Sequence, residues 1–233
     1  MVLCWLHGHL ASPVAPGRGY SWPHSRRGRA PLGTPFVPTR GTGYEVGAKA
    51  DLLAGRLFVN LALFKITKTN VLTPEPTNPS FSIQVGEQES QGVEFDITGE
   101  ILPGWNVIAS YAYTDAKISR DNTFPVGNRL PIAPLHGGSF WTSYRVPDRP
   151  LEGWGIGAGV FAVGERFGDL ANSFSLPGYT RVDAALYYRR SWLNAALNFK
   201  NLLNAQYIES SSGRAFNYPG APFTVQGTVE VRF

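Results

Sequence analysis

The sequence predicts an all-β protein: an antiparallel up-and-down sheet with strands tall enough to cross a bilayer, as in a transmembrane β-barrel. Three observations lead there. From Tyr44 onward, apolar and polar side chains alternate with a period of two in segments of about ten residues. The connections between those segments alternate strictly between short and long. The chain of 233 residues stops on "FTVQGTVEVRF", where Phe223, Val225, Val229, Val231 and Phe233 alternate with Thr224, Gln226, Thr228, Glu230 and Arg232. A soluble domain usually ends in a few loosely held residues, whereas this pattern runs at full amplitude to its end.

Composition narrows the classes. No run approaches the ~18 apolar residues of a membrane-spanning helix, which excludes helical spans but not strands of about 9–11 alternating residues. Aromatic residues at 13% and 26 glycines suit strands joined by many turns. The formal charge of +4 is localised. Residues 1–43 hold Arg18, Arg26, Arg27, Arg29 and Arg40 and no acid, which leaves 16 of the 21 basic residues against all 17 acidic ones. No nucleic-acid partner is expected from such a balance. Cys4, the single cysteine, and His7, His9 and His24 also lie there, so disulfides and cysteine-bound zinc are excluded from the remainder. "MVLCWLHGHLASPVAPGRGYSWPHSRRGRAPLG" shows neither helical nor strand periodicity, and no basic stretch precedes its apolar start as a signal peptide requires. Acid-free sequence rich in Arg, Pro, Gly and His is what a shifted reading of a GC-rich gene yields. Residues 1–43 are therefore expected to be an irregular leader outside the fold, with a disordered basic arm and a signal peptide as the competing readings, and 44–233 the folded unit.

The elements follow in order. "YEVGAKADLL" sets Tyr44, Val46, Ala48, Ala50 and Leu52 against Glu45, Gly47, Lys49 and Asp51; an Ala54-Gly55 turn leads into "RLFVNLALF", giving a hairpin. "TNVLTPEPTNPS" has the Pro, Asn and Thr of a surface loop. "VGEQESQGVEFDITGEI" is one extended strand, and Leu102-Pro103-Gly104 turns it into "WNVIASYAYTDA". After a polar connection come "HGGSFWTSYRV", a tight reversal, and "WGIGAGVFAV". "YTRVDAALYYR", a turn at Ser191, "WLNAALNFKN" and the terminal strand bring the count to nine. Short turns at 54–55, 102–104, 147–153 and 190–191 alternate with long connections at 68–81, 117–135, 163–178 and 202–220.

That sorting describes an outer-membrane barrel with short turns at one rim and long loops at the other. Strands in soluble sandwiches are nearer 5–6 residues. Ten residues at ~3.3 Å each, tilted about 45°, cover roughly 25 Å, the height of such a barrel's apolar band. Val, Leu and Ala are assigned to lipid. Glu94, Asp96, Arg181, Asp183, Asn194, Asn198, Lys200, Glu230 and Arg232 are assigned to a wet lumen. Tyr44, Trp105, Tyr113, Trp154 and Trp192 sit near strand ends, where a membrane interface places aromatic rings.

"GVEFDITGEILPGWNVIASYAYTDA", "GNRLPIAPLH", "LPGYTRVDAALYYRRSWLNAALNFKNLLNAQY" and "YPGAPFTVQGTVEVRF" resemble the C-terminal portion of TonB-dependent outer-membrane receptors, most of all the ferric-siderophore, ferrichrome-type branch. The resemblance runs from Gly41 to Phe233. It implies a barrel of about 22 strands around an N-terminal plug, with loops that bind a ferric siderophore and a plug that engages a TonB-type energy-transducing complex. It also implies that Phe223, Val225, Val229, Val231 and Phe233 form the signal read by the outer-membrane barrel assembly machinery. Glycine at 227 interrupts that apolar face, and Phe223 stands where many members carry Arg. Nine strands cannot close such a barrel, so the chain is expected to be an open curved sheet, a partial receptor without plug or coupling segment, and not transport-competent alone. A free sheet in lipid leaves unmet backbone groups costing several kcal/mol each.

Other chemistry is weaker. "GAGVFA" at 157–162 has dinucleotide-loop spacing but lies within a strand, and Gly153, Gly155, Gly157 and Gly159 share one face, as small residues making room for a plug or a twist would. Glu94 and Asp96 are two apart, as lumen polarity also predicts. His136 is the one histidine beyond the leader and has no evident triad partners. No enzymatic activity, metal site or cofactor is expected; iron enters only inside its chelate. Arg166, Phe167, Tyr207, Arg214, Phe216 and Tyr218 lie in or beside the long loops, where charge and stacking suit an anionic or aromatic siderophore. A cobalamin or sugar receptor of the same kind, a porin-like passive channel and a soluble all-β binding module are the competing expectations.

Overall fold

In the computed structural model, which describes residues 2–9, 36–78, 80–147 and 150–233, the nine alternating segments are nine neighbouring strands of one antiparallel sheet. The strands are β1 (Val2–His9), β2 (Arg40–Leu52), β3 (Leu57–Pro74), β4 (Ser82–Leu102), β5 (Trp105–Arg120), β6 (His136–Arg145), β7 (Trp154–Val163), β8 (Arg166–Phe167), β9 (Ser175–Leu176), β10 (Tyr179–Arg189), β11 (Leu193–Lys200), β12 (Ile208–Ser211), β13 (Asn217–Pro219) and β14 (Thr224–Val231). The large sheet has the order β1-β2-β3-β4-β5-β6-β7-β10-β11-β14 and is not closed; β8-β9 and β12-β13 are separate hairpins. The nine predicted strands are β2 to β7, β10, β11 and β14.

Several boundaries differ from the sequence expectation. The connection expected at 68–81 shrinks to 75–81, because Thr69–Pro74 continue β3 and pair with Ser82–Gly86 of β4 through register shifts. Its prolines and asparagines mark only the tip. Two long loops carry the short hairpins β8-β9 and β12-β13. The first tight turn falls where expected: Leu52 pairs with Leu57, so Ala54 and Gly55 are the central residues of the 53–56 turn, both with positive φ, and the Arg56 amide donates to the Leu53 carbonyl at 3.4 Å. Positive φ at both central residues suits the right-handed twist of a hairpin; φ is positive at Leu53 as well, at a steric cost for leucine and alanine.

β2 starts at Arg40, inside the expected leader, and the Gln84 side-chain amide grips Val37 by both its N–H (2.7 Å) and its C=O (2.6 Å). Val2–His9, where the sequence shows no strand periodicity, pairs antiparallel with Gly43–Ala50 of β2. Residues 1 and 10–35 of the expected leader lie outside the described residues.

Register sorts the side chains onto two faces. On one, Asn60, Asp96, Ser110, Ser139, Phe161 and Arg181 stand in one row across six strands. The other carries Val59, Ile97, Ala109, Phe140, Val160 and Val182 in the adjoining row. The apolar face is bounded by aromatic rings. Trp105 pairs with Tyr144, and Trp154 meets Tyr188 at a tilt of 56° with ring centroids 5.1 Å apart, along the short-turn rim. Tyr113 and His136 pair along the long-loop rim, where Tyr111 Oη lies 2.8 Å from His136 Nδ1. The first charge on this face of β5 is Asp115, ion-paired with Lys117 at 3.2 Å. From Trp105 to Asp115 is ten steps, roughly 23 Å at ~3.3 Å per residue and a tilt of about 45°.

The glycine stripe of β7 does not leave open space. A Cβ at Gly157 would lie 2.7 Å from the Trp141 ring, and one at Gly159 only 2.3 Å from it. Trp141 and Tyr187, from the strands on either side, fill the furrow, which is why these positions accept nothing larger than hydrogen.

Candidate ligand-binding face

Four connections rise at the long-loop rim, and three of them are joined. The 121–135 connection folds back along β5, above the short β6. Ile118 and Leu130 amides donate to Asn128 and Ala116 carbonyls at 2.8 Å each, and Thr114 donates to Leu135 at 2.9 Å. It then meets the 164–178 connection. Asn172 acts as a backbone mimic there: its Oδ1 accepts from the Arg129 amide and its Nδ2 donates to the Arg129 carbonyl, both at 2.8 Å. Asn128 Nδ2 donates to the Leu170 carbonyl at 2.9 Å, and the Ile132 amide to the Phe167 carbonyl at 2.8 Å.

The 201–223 connection is set by two asparagines. Asn201, 1% exposed, follows β11 with φ of 53°. Its amide donates to Asp183 Oδ1 at 2.8 Å, its Nδ2 donates to the Ala205 and Ala221 carbonyls at 2.9 Å each, and its Oδ1 accepts from the Ala205 amide at 2.8 Å. Asn204, also left-handed, accepts from the Phe223 amide at 3.0 Å and so fixes where β14 begins. Asp183 is in turn held by both arms of Arg181 at 3.0 Å. A buried polar corner of this kind persists only because every group in it is partnered.

The six loop residues singled out in the sequence fall in different environments. Arg166 is 2% exposed, and its guanidinium donates to the Pro177, Ile208 and Glu209 carbonyls while lying 5.5 Å over the Tyr179 ring. Phe167 is half-buried under the Arg129 guanidinium, 6.0 Å from it. Tyr207 stacks on Tyr179 with centroids 4.1 Å apart and packs on Gly220, where no Cβ would fit. Arg214, Phe216 and Tyr218 are exposed together on the β12-β13 hairpin. Arg214 donates to the Ser173 carbonyl and lies 5.6 Å over the Phe174 ring. The structure thus groups Arg214, Phe216 and Tyr218 at the surface and packs Arg166, Phe167 and Tyr207 beneath them.

A cleft of about 450 Å³ opens between the 164–178 and 201–223 connections, lined by Pro177, Asn204, Tyr207, Ile208, Pro219 and Pro222 among others. On the polar face of the sheet a shallow hollow of about 530 Å³ presents Glu94, Asp96, Ser110, Ser139, Tyr179 and Arg181. Asp169, beside the Arg214 contact, has its carboxyl held below the ordinary range by hydrogen bonds from the Ser173 hydroxyl and amide, with Arg214 adding to the effect. Among the described residues no group of three or more His, Cys, Asp or Glu side chains could hold a metal ion.

Sequence reasoning missed Asn128, Asn172, Asn201 and Asn204. Three of them take positive φ, and asparagine in a loop is a signal for that conformation. The periodicity of strands says nothing about where such corners dock.

An open antiparallel sheet with an apolar face between two aromatic rims, a polar face behind it and long loops at one rim is the wall of an outer-membrane barrel. The model of the TonB dependent receptor-like β-barrel family matches residues 11–202. The chain belongs to that family and thereby to the bacterial outer membrane. It is 41% identical over 193 residues to the metal-pseudopaline receptor CntO of Pseudomonas aeruginosa (strain UCBPP-PA14), covering 82% of this chain and 27% of that receptor. It is 35% identical over 206 residues to the ferrichrome outer membrane transporter/phage receptor of Escherichia coli K12, covering 86% and 27%. The crystal structure of the ferric-catecholate import receptor Fiu of E. coli K12 in its closed form superimposes with a TM-score of 0.74 at 26% identity, over 100% of this chain and 32% of that one. The chain therefore spans about a quarter to a third of the length of these relatives.

Proposed function

We propose that this chain is the C-terminal wall of a receptor that imports ferric siderophores by TonB-dependent active transport, and that by itself it does not transport. The observation that carries the reading is the pairing of the two-faced sheet with a cationic and aromatic hairpin at the loop rim: Arg214, Phe216 and Tyr218 are exposed there, where they suit an anionic or aromatic chelate. The relatives' names, a ferrichrome transporter and a metal-pseudopaline receptor, support a metal chelate as cargo. A plug filling the lumen, an energy-transducing inner-membrane complex acting on that plug, and recognition of Phe223, Val225, Val229, Val231 and Phe233 by the barrel assembly machinery complete the proposal. The five residues support it by their exposure along and beside β14, the last strand in the order of the sheet among the described residues.

A second reading concerns the metal. The 41% identity to a receptor named for a metal-pseudopaline complex favours chelates of metals besides iron.

Uptake of radio-iron presented as ferrichrome or ferrioxamine B tests the proposal in cells stripped of their own receptors. The chain alone is expected to give no uptake. Co-production with a polypeptide supplying a plug and the remaining strands is expected to give uptake that depends on the inner-membrane energy source. Energy-independent leakage of unrelated solutes by the chain alone would instead mean a passive channel.

A further inference from the structure

Arg166 is buried and charged, and among the described residues none of its hydrogen bonds goes to a carboxylate. Its guanidinium donates to three carbonyls, one in its own connection (Pro177) and two at the base of the β12-β13 hairpin (Ile208 and Glu209). We propose that Arg166 is a positioning residue: it clasps the 164–178 and 201–223 connections into one rigid block and so holds Arg214, Phe216 and Tyr218 in place to receive the chelate, without touching it. The inference rests on the uptake reading above for its ligand, but not for its mechanics.

Three features support the clasp. A guanidinium offers five donors in a planar fork and stays charged, so it can bind carbonyls on two separate segments while stacking on a ring. The two carbonyls it takes from the 201–223 connection belong to adjacent residues at the start of β12, the strand that leads to the hairpin tip. Removing the guanidinium would leave those carbonyls unmet, a costly state in a buried position. Second, the clasp is reinforced by the Tyr179–Tyr207 stack at 4.1 Å and by Arg214 on the Ser173 carbonyl. Third, the same block extends to the 121–135 connection through the reciprocal Asn172–Arg129 pair. Three of the four connections at this rim therefore move together. The 75–81 tip meets the block more lightly, through Asn122 on the Pro74 carbonyl at 2.8 Å.

The test uses the full chain co-produced with a polypeptide supplying the plug and remaining strands, in outer-membrane vesicles, with backbone hydrogen exchange and binding of ferric ferrioxamine B and ferrichrome as readouts. Arg166→Met is expected to raise exchange at β8-β9 and β12-β13 together, about tenfold or more, and to weaken chelate binding by about tenfold. Arg166→Lys keeps the charge and three donors on a single nitrogen but not the planar fork, and recovers part of both. Tyr218→Ala is expected to weaken binding with exchange unchanged. Unchanged exchange in Arg166→Met overturns the clasp, and lost binding with unchanged exchange makes Arg166 a direct contact instead. If Arg166→Met does not assemble, Arg166→Lys is read alone: raised exchange confined to the two hairpins supports the clasp, and unaltered exchange overturns it. If no chelate binds even when the unaltered chain is complemented by the plug and remaining strands, the uptake reading fails while exchange still decides the clasp.

Discussion

Asn201 is the position at which a single side chain carries most of a loop's geometry. Its side chain makes three hydrogen bonds, two donated to the Ala205 and Ala221 carbonyls and one accepted from the Ala205 amide. At about 1 kcal/mol net for each, Asn201→Gly is expected to cost about 3 kcal/mol of local stability. Asn201→Ala loses the same bonds and also forces a Cβ residue to φ of 53°, which adds about 1 kcal/mol. Because the Ala205 amide itself is one of the bonded groups, its hydrogen exchange reads the loss directly. About 3 kcal/mol corresponds to roughly a hundredfold faster exchange, and the alanine variant should be several-fold faster again. Exchange at Leu202, whose amide donates to the Val182 carbonyl at 2.7 Å, should rise with it as the corner opens. An Ala205 amide that exchanges within about fivefold of its original rate in Asn201→Gly would refute the reasoning, since the corner would then be held by the surrounding backbone.

Other outcomes follow from packing, faces and charge. Gly159→Ala places a methyl 2.3 Å from the Trp141 ring and 2.9 Å from the Phe140 carbonyl, so it should destabilise by about 1–3 kcal/mol, whereas Gly227→Ala meets nothing within 4 Å and should be near neutral; urea midpoints in detergent compare the two. Val229→Arg sets a charge on the apolar face at a cost of about 2–4 kcal/mol near mid-bilayer and should lower the amount recovered in outer membranes. Thr228→Arg, on the adjoining residue of the opposite face, should not. Asp169 has a depressed folded pKa, so the stability it lends the 169–173 turn is present at neutral pH and lost as pH falls below its ordinary 3.8. Exchange at the Ser173 amide should rise over that acidic range and stay flat in Asp169→Asn.

How much could be read in advance depends on the range of the interaction. β5 is legible in isolation, because Trp105, Val107, Ala109, Tyr111 and Tyr113 declare a face by period two alone. The β3-β4 tip is not. Its prolines and asparagines read as a loop, yet Thr69–Pro74 extend the strand because a partner of matching length stands beside them. The glycines of β7 show the same limit. Their shared face is visible in sequence, but their purpose lies in Trp141 and Tyr187, far away in the chain and adjacent only across the sheet.

The candidate site divides in the same way. Loop arginines and aromatic residues can be counted from sequence, and Arg214, Phe216 and Tyr218 do come together on one exposed hairpin. That Arg166 is buried against carbonyls from two connections could not be counted, because backbone carbonyls have no sequence signature.

The sequence by itself determined nine of the ten strands of the large sheet, their order, the face each residue takes and the rim on which the long loops lie. All of these follow from alternation and turn chemistry, which act between near neighbours. Only the tertiary structure decided how the loops dock, since that is settled by hydrogen bonds from Arg166, Asn172 and Asn201 to main-chain groups about 4 to 43 residues away, whose positions no local pattern encodes.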